Sequence, residues 1–139
     1  MSDSTIEGHC LCNAIRIRVD RSRVISAHHC HCRDCQRSTG SGFTTFCMVP
    51  DAGVTLVQGE LGSCTVTGDS GNTVTRSFCR DCGSPIYSTA SLAPGLTLVK
   101  AGCLEDSSWI EPASIFWTDS AQPWCPPVEG VPGHERNPA

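Results

Sequence analysis

Three cysteines within six positions, Cys30, Cys32 and Cys35, form a C-x-C-x-x-C cluster able to place three thiolates on one metal ion. Cys30 and Cys32 are two apart, so on an extended chain their side chains share a face. Cys32 and Cys35 have the spacing of a tight zinc knuckle. Sulfur ligands in this pattern select Zn2+ over Mg2+ or Ca2+, which prefer oxygen. Two further pairs, Cys10 with Cys12 and Cys79 with Cys82, raise the patterned cysteines to seven. Two closed tetrahedral sites need eight protein ligands, so a division of four and three leaves one site a ligand short. The two outer pairs make a natural four-cysteine site, because each chelates as a short turn and neither has a third partner nearby in sequence. Closing the chain between Cys12 and Cys79 costs roughly 3.7 kcal/mol, against on the order of 10 kcal/mol or more from a structural zinc. The central trio then keeps an open position for water or substrate. A fourth ligand from His28, His29, His31, Cys47, Cys64, Cys103 or Cys125 would instead close it, and spacing leaves both arrangements open.

The chemistry of an open trio follows from charge. Three thiolates leave a Zn2+ centre at net −1, a weak activator of bound water but a good place to hold a substrate thiol as its thiolate. A thiolate so held is a nucleophile toward an aldehyde, and the reverse step releases the thiol. The new hydroxyl needs a polar partner, and Ser38, Thr39 and Ser41 follow directly after the trio. Arg33 and Arg37 beside the trio, and Arg76 and Arg80 near the later pair, are candidates to neutralise thiolates or hold a small carboxylate. The alternative for each is a solvated surface arginine. His31 alternates with its cysteine neighbours and is expected to point away from their metal. Cys47, Cys64 and Cys103 lie in strand-like surroundings and read as small core residues.

Composition narrows the class. The 139 residues hold eleven cysteines, an odd number, arranged in C-x-C and C-x-x-C pairs rather than as a disulfide framework. The first residues show no basic stretch followed by an apolar one, and no apolar run reaches membrane-spanning length. The expected location is the cytoplasm. A net charge of −4 with one lysine, Lys100, argues against nucleic acid as a partner. The partners expected are a small thiol and a small aldehyde.

The elements that must carry these ligands read as short strands. Ile15, Ile17 and Val19 alternate with Arg16 and Arg18, the pattern of a half-buried strand. Strands are expected over 24–29, leading into the trio, and over 43–49, 54–57, 63–67, 74–78, 96–101 and 115–118. Asp69-Ser70-Gly71-Asn72 is a hairpin turn. Helix is expected only as a short turn after Cys35 and another near Asp106 to Trp109. The fold class is therefore all-β, with few or no helices. A single catalytic domain over 1–125 is followed by a proline-rich, extended and partly mobile tail over 126–139, in which Trp124 and Cys125 just before it are the residues expected to pack.

With these residues in place, the chain resembles the glutathione-dependent formaldehyde-activating enzymes, a family that also contains the centromere-protein-V-like domains. The matching segments are Gly8-His-Cys-Leu-Cys12, Cys30-His-Cys-Arg-Asp-Cys-Gln-Arg-Ser-Thr-Gly-Ser-Gly-Phe43 and Arg76-Ser-Phe-Cys-Arg-Asp-Cys-Gly-Ser-Pro-Ile86, with a weaker match near Lys100 to Asp106 and Ile115 to Trp124. The resemblance implies an Mss4-like, zinc-stapled β-sheet fold. It implies two zinc ions per chain: a structural one on Cys10, Cys12, Cys79 and Cys82, and a catalytic one on Cys30, Cys32 and Cys35. It further implies carbon–sulfur lyase activity, with glutathione and formaldehyde in equilibrium with S-(hydroxymethyl)glutathione. Two positions depart from the family pattern. Asn13 stands where a glycine is usual, and asparagine tolerates a left-handed turn; Ser114 stands where a histidine is frequent.

Overall fold

A computed structural model describes residues 4–68 and 71–138. Ten strands run in chain order: β1 (Thr5–His9), β2 (Arg16–Asp20), β3 (Ser26–Cys30), β4 (Thr44–Pro50), β5 (Val54–Gln58), β6 (Leu61–Thr67), β7 (Thr73–Cys79), β8 (Pro85–Ala90), β9 (Leu96–Lys100) and β10 (Ser114–Phe116). The one α-helix among the described residues, α1, spans Arg33–Thr39. The expectation of a largely β chain with little helix holds.

The strands form two sheets. A small one has the order β1-β2-β5, and a seven-stranded one the order β10-β3-β4-β9-β8-β7-β6. The alternation read in the sequence fixes which face of β2 is buried. Ile17 and Val19 are 0% and 1% exposed, whereas Arg18 faces solvent and pairs with Glu7. They meet one face of the large sheet, where Ala27, Cys47 and Val99 are successive cross-strand partners and Val49 and Ile86 pack beside them. Removing this apolar surface from water is the main stabilising term of the fold.

The other face of the large sheet carries different chemistry. His28, Phe46 and Lys100 are cross-strand partners there, as are Leu98, Ser88, Arg76 and Cys64 along the next row. That row depends on a register shift between Ser77 and Phe78 against β8, where Ile86 is the extra residue. The bulge lets Ile86 enter the core while Ser88 still aligns with Arg76.

Several expectations change. Strand β1 and strand β8 were not anticipated; β8 begins at Pro85, directly after Gly83 and Ser84, and its pairing with β7 and β9 makes it extended. Strands β5 and β6 follow one another in sequence yet join different sheets. The stretch from Asp106 forms a turn rather than a helix, with Asp106 Oδ1 accepting from the Ser108 amide at 3.0 Å. Asp69 and Ser70 of the hairpin turn lie outside the described residues, but β6 and β7 pair antiparallel on either side of it. Trp124 is 69% exposed rather than packed. The segment beyond it is held by β10: Ile115 and Trp117 amides donate to the Pro132 and Arg136 carbonyls, and the His134 amide donates to the Ile115 carbonyl. An edge strand offers unpaired backbone groups, and this segment satisfies them.

Candidate metal centre

Two cysteine groups come together. The Sγ atoms of Cys10, Cys12, Cys79 and Cys82 lie within 4.8 Å of one another, as do those of Cys30, Cys32 and Cys35. In the first group Cys12 Sγ is 3.6 Å from Cys10 Sγ and 3.7 Å from Cys79 Sγ. Tetrahedral zinc with Zn–S bonds of about 2.3 Å requires sulfur separations near ~3.8 Å, so this donor set fits the ion. The turn that delivers Cys10 and Cys12 depends on Asn13, which adopts φ 67°. The Ile15 amide donates to Cys10 Sγ at 3.2 Å, and the Ser84 hydroxyl lies 3.1 Å from Cys82 Sγ. The bonds from Ser84 hold Cys82 down at about 5, favouring its thiolate.

The trio is assembled by β3 and α1. Cys30 ends β3, and Cys32 is the N-cap of α1, its Sγ accepting from the Cys35 amide at 3.2 Å. Gly40, at φ 73°, closes the helix in the left-handed conformation that suits glycine. Gln36, 6% exposed, fixes the helix in place: its Nε2 donates to the carbonyls of His31 at 2.8 Å and Ser120 at 3.0 Å. Its Oε1 accepts from Arg33 and, at 3.1 Å, from Gln122 Nε2. Sequence reasoning passed over Gln36, because a glutamine inside a cysteine knuckle carries no pattern of its own.

Charges surround the trio unevenly. Arg76 Nη2 donates to Cys35 Sγ at 3.8 Å, and its buried Nε has no hydrogen-bond partner. Lys100 Nζ donates to Ser88 Oγ at 3.1 Å and stands 5.5 Å from the centre of the Phe46 ring. Phe46 in turn packs with Cys30, Cys35 and Phe116. Thiol hydrogen bonds from Cys30 and Cys32 hold Cys35 far below the ordinary thiol range, and Lys100 and Arg76 add to this against burial. Hydrogen bonds to Cys32 and Cys35, together with burial, push Cys30 up. Three thiolates side by side would need a divalent cation between them. Arg76 was a candidate from sequence, whereas Lys100 was not, its placement depending on the β4–β9 pairing. Arg33, Arg37 and Arg80 are exposed, and Arg80 pairs with Glu60.

Among the described residues, no histidine or other cysteine joins the trio. His28 is held by Ser26 Oγ at 2.7 Å and Ser114 Oγ at 2.8 Å and stacks on Phe116. His29 Nδ1 is 2.8 Å from Thr45 Oγ1. His31, 1% exposed, packs on Phe43. Cys47 and Cys103 sit in the core, where burial pushes their thiols up to about 11 and about 12. Cys64, expected in the core, is exposed on β6, and Cys125 lies against Gly42. Ser38 and Thr39 both donate to the Cys35 carbonyl, at 3.2 and 2.8 Å, so they hold the helix rather than offer free hydroxyls. An open cleft of about 880 Å3 is lined by His29, Thr39, Phe43, Thr44 and Lys100 and reaches Cys10, and none of the three trio cysteines lines it.

The structure is similar to a crystal structure of a Rhodobacter sphaeroides protein, with 20% sequence identity, a TM-score of 0.60, and 92% of this chain and 99% of that chain covered. This likeness concerns the fold. No curated protein matches the chain in sequence. Residues 5–120 match the model of the glutathione-dependent formaldehyde-activating enzymes, and the chain belongs to that family.

Proposed function

We propose that the chain is a zinc-dependent carbon–sulfur lyase-like enzyme of the glutathione-dependent formaldehyde-activating type, built on an Mss4-like fold. Family membership and the asymmetry of the two cysteine groups support this reading. The observation that carries it is the trio itself, three converging thiols with no fourth protein ligand among the described residues. In this reading Cys10, Cys12, Cys79 and Cys82 hold a structural zinc, and Cys30, Cys32 and Cys35 hold a catalytic one.

A zinc ion on the trio would supply a position that holds a thiol as its thiolate at neutral pH. In the net reaction the thiol sulfur bonds to the aldehyde carbon, the carbonyl oxygen takes up a proton, and an S-(hydroxyalkyl) thioether forms; the reverse breaks the same bond. The chain's own part is to fix the geometry and the charge. Cys32 and Gln36 lock α1 against β3, so the trio is held before substrate arrives. Arg76 and, in its protonated form, Lys100 place positive charge on the side of the trio where charge collects. Phe46 and Phe116 limit water around the sulfurs. Glutathione and formaldehyde are the reactants proposed, in the cytoplasm.

Replacing Cys35 by serine is expected to abolish S-(hydroxymethyl) thioether formation while leaving the β-sheet circular dichroism and one zinc per chain. Undiminished turnover would overturn the reading. A zinc–water enzyme acting on another electrophile predicts turnover without thiol, which the same assay detects. A non-enzymatic protein-binding module predicts a closed four-ligand environment at both ions and a large exposed apolar patch, and zinc K-edge absorption showing four protein ligands at the trio would favour it.

A further inference from the structure

Lys100 and Arg76 have no carboxylate partner among the described residues, although the chain carries more acids than bases. Arginines 16, 18, 23, 80 and 136 each reach a carboxylate. Arg21, Arg33 and Arg37 also lack such a partner but are exposed, whereas the half-buried Lys100 and Arg76 converge on one place. Arg76 contacts Cys35 Sγ at 3.8 Å, and its Nε is buried without a partner. Its cross-strand neighbour Ser88 accepts from Lys100 Nζ at 3.1 Å. Lys100 stands over Phe46, which packs on Cys30 and Cys35.

Charge arithmetic gives this arrangement a purpose. Three thiolates and a Zn2+ ion sum to −1, a centre that repels any anion seeking the fourth position. With Lys100 protonated, its ammonium and the Arg76 guanidinium bring the sum to +1, and one thiolate ligand brings it to zero. In a half-buried site an uncompensated charge is costly.

Resting on the lyase reading above, we propose that Lys100 and Arg76 are positioning residues that charge-balance a fourth, anionic ligand on the trio, making the site selective for thiolates and other anions over neutral ligands. The selectivity belongs to the sulfur itself, so a thiol without any carboxylate is bound by the same device.

The test uses the full chain loaded with cobalt(II), whose thiolate-to-metal absorption reports the ligands directly and does not depend on turnover. Metal content is counted in each variant, and 2-mercaptoethanol is titrated at constant neutral pH. Wild type is expected to gain a thiolate band; Lys100→Met and Arg76→Met are expected to bind about tenfold or more weakly, and Lys100→Arg and Arg76→Lys to recover most of the loss. Equal binding by wild type and the methionine variants overturns this inference and leaves the lyase reading standing. No new band in wild type overturns both. Should the methionine variants fail to load metal, wild type alone decides: azide should perturb the spectrum far below the concentration at which neutral imidazole does, and equal sensitivity to the two overturns the inference.

Discussion

Ser114 Oγ lies 2.8 Å from Nδ1 of His28, joining β10 to β3 across a parallel pair in which both side chains are 8% exposed. The contact fixes the imidazole that stacks on Phe116 beside the trio. Ser114→Ala would leave a buried ring nitrogen unpaired, at about 1–3 kcal/mol. Urea denaturation of the metal-replete protein should show a lower midpoint with an unchanged slope. An unmoved midpoint would mean that the hydrogen bond contributes no net stability.

Acid should weaken the fold before the carboxylates titrate. Burial lowers the pKa of His28, His29 and His31 below the usual 6.5. Each ring is therefore protonated in the unfolded chain at pH values where the folded ring is not. Stability is full above about pH 6.5 and falls as the pH drops through it toward the lower folded values. The urea midpoint of wild type should fall between neutral pH and pH ~5.5, and His29→Gln should flatten that fall. An identical fall in the variant would assign the loss to other groups, metal release among them.

The two cysteine groups should respond differently to mutation. In the proposed reading Cys79→Ser removes a zinc ligand that bridges β7 to the turn after β1, across 66 intervening residues between Cys12 and Cys79. It should lower zinc from two to one per chain and lose much of the folded signal, because structural zinc contributes on the order of 10 kcal/mol. Retention of full thermal stability would show that the sheets hold without that group.

The core between the sheets should behave as a packed interior. Ile17, 0% exposed, meets the large sheet, and Ile17→Ala should cost about 2–5 kcal/mol. Chemical denaturation measures it directly, and a cost below ~1 kcal/mol would indicate that the site collapses around the cavity.

Gly42 tests how the C-terminal segment is seated. A Cβ there would stand 2.5 Å from Cys125 Sγ and 2.6 Å from Cys125 Cβ. Gly42→Ala should detach the segment and speed proteolysis near Cys125, and Cys125→Gly added to it should restore protection. Unchanged proteolysis in the single variant would show that Cys125 moves aside at little cost.

The two cysteine groups were legible in the sequence because clustering by short turns is local: Cys10 with Cys12, Cys79 with Cys82, and the trio each sit within six residues. Ile17 and Val19 were equally legible, since the two-residue period of a strand appears in any half-buried segment. Which cysteines stay apart was not. Cys64 and Cys103 both read as core residues, yet Cys64 is exposed on the edge strand β6 and Cys103 is buried in the 3-10 turn that follows β9. β8 was hidden by its proline-led turn and became a strand only through β7 and β9. Lys100 and Arg76 met for the same reason. They are 24 positions apart, and only the β7-β8-β9 order and the bulge at Ile86 carry both to the face that bears the trio. Local spacing determines which atoms can chelate; the cations around them come from strand order, which non-local pairing decides.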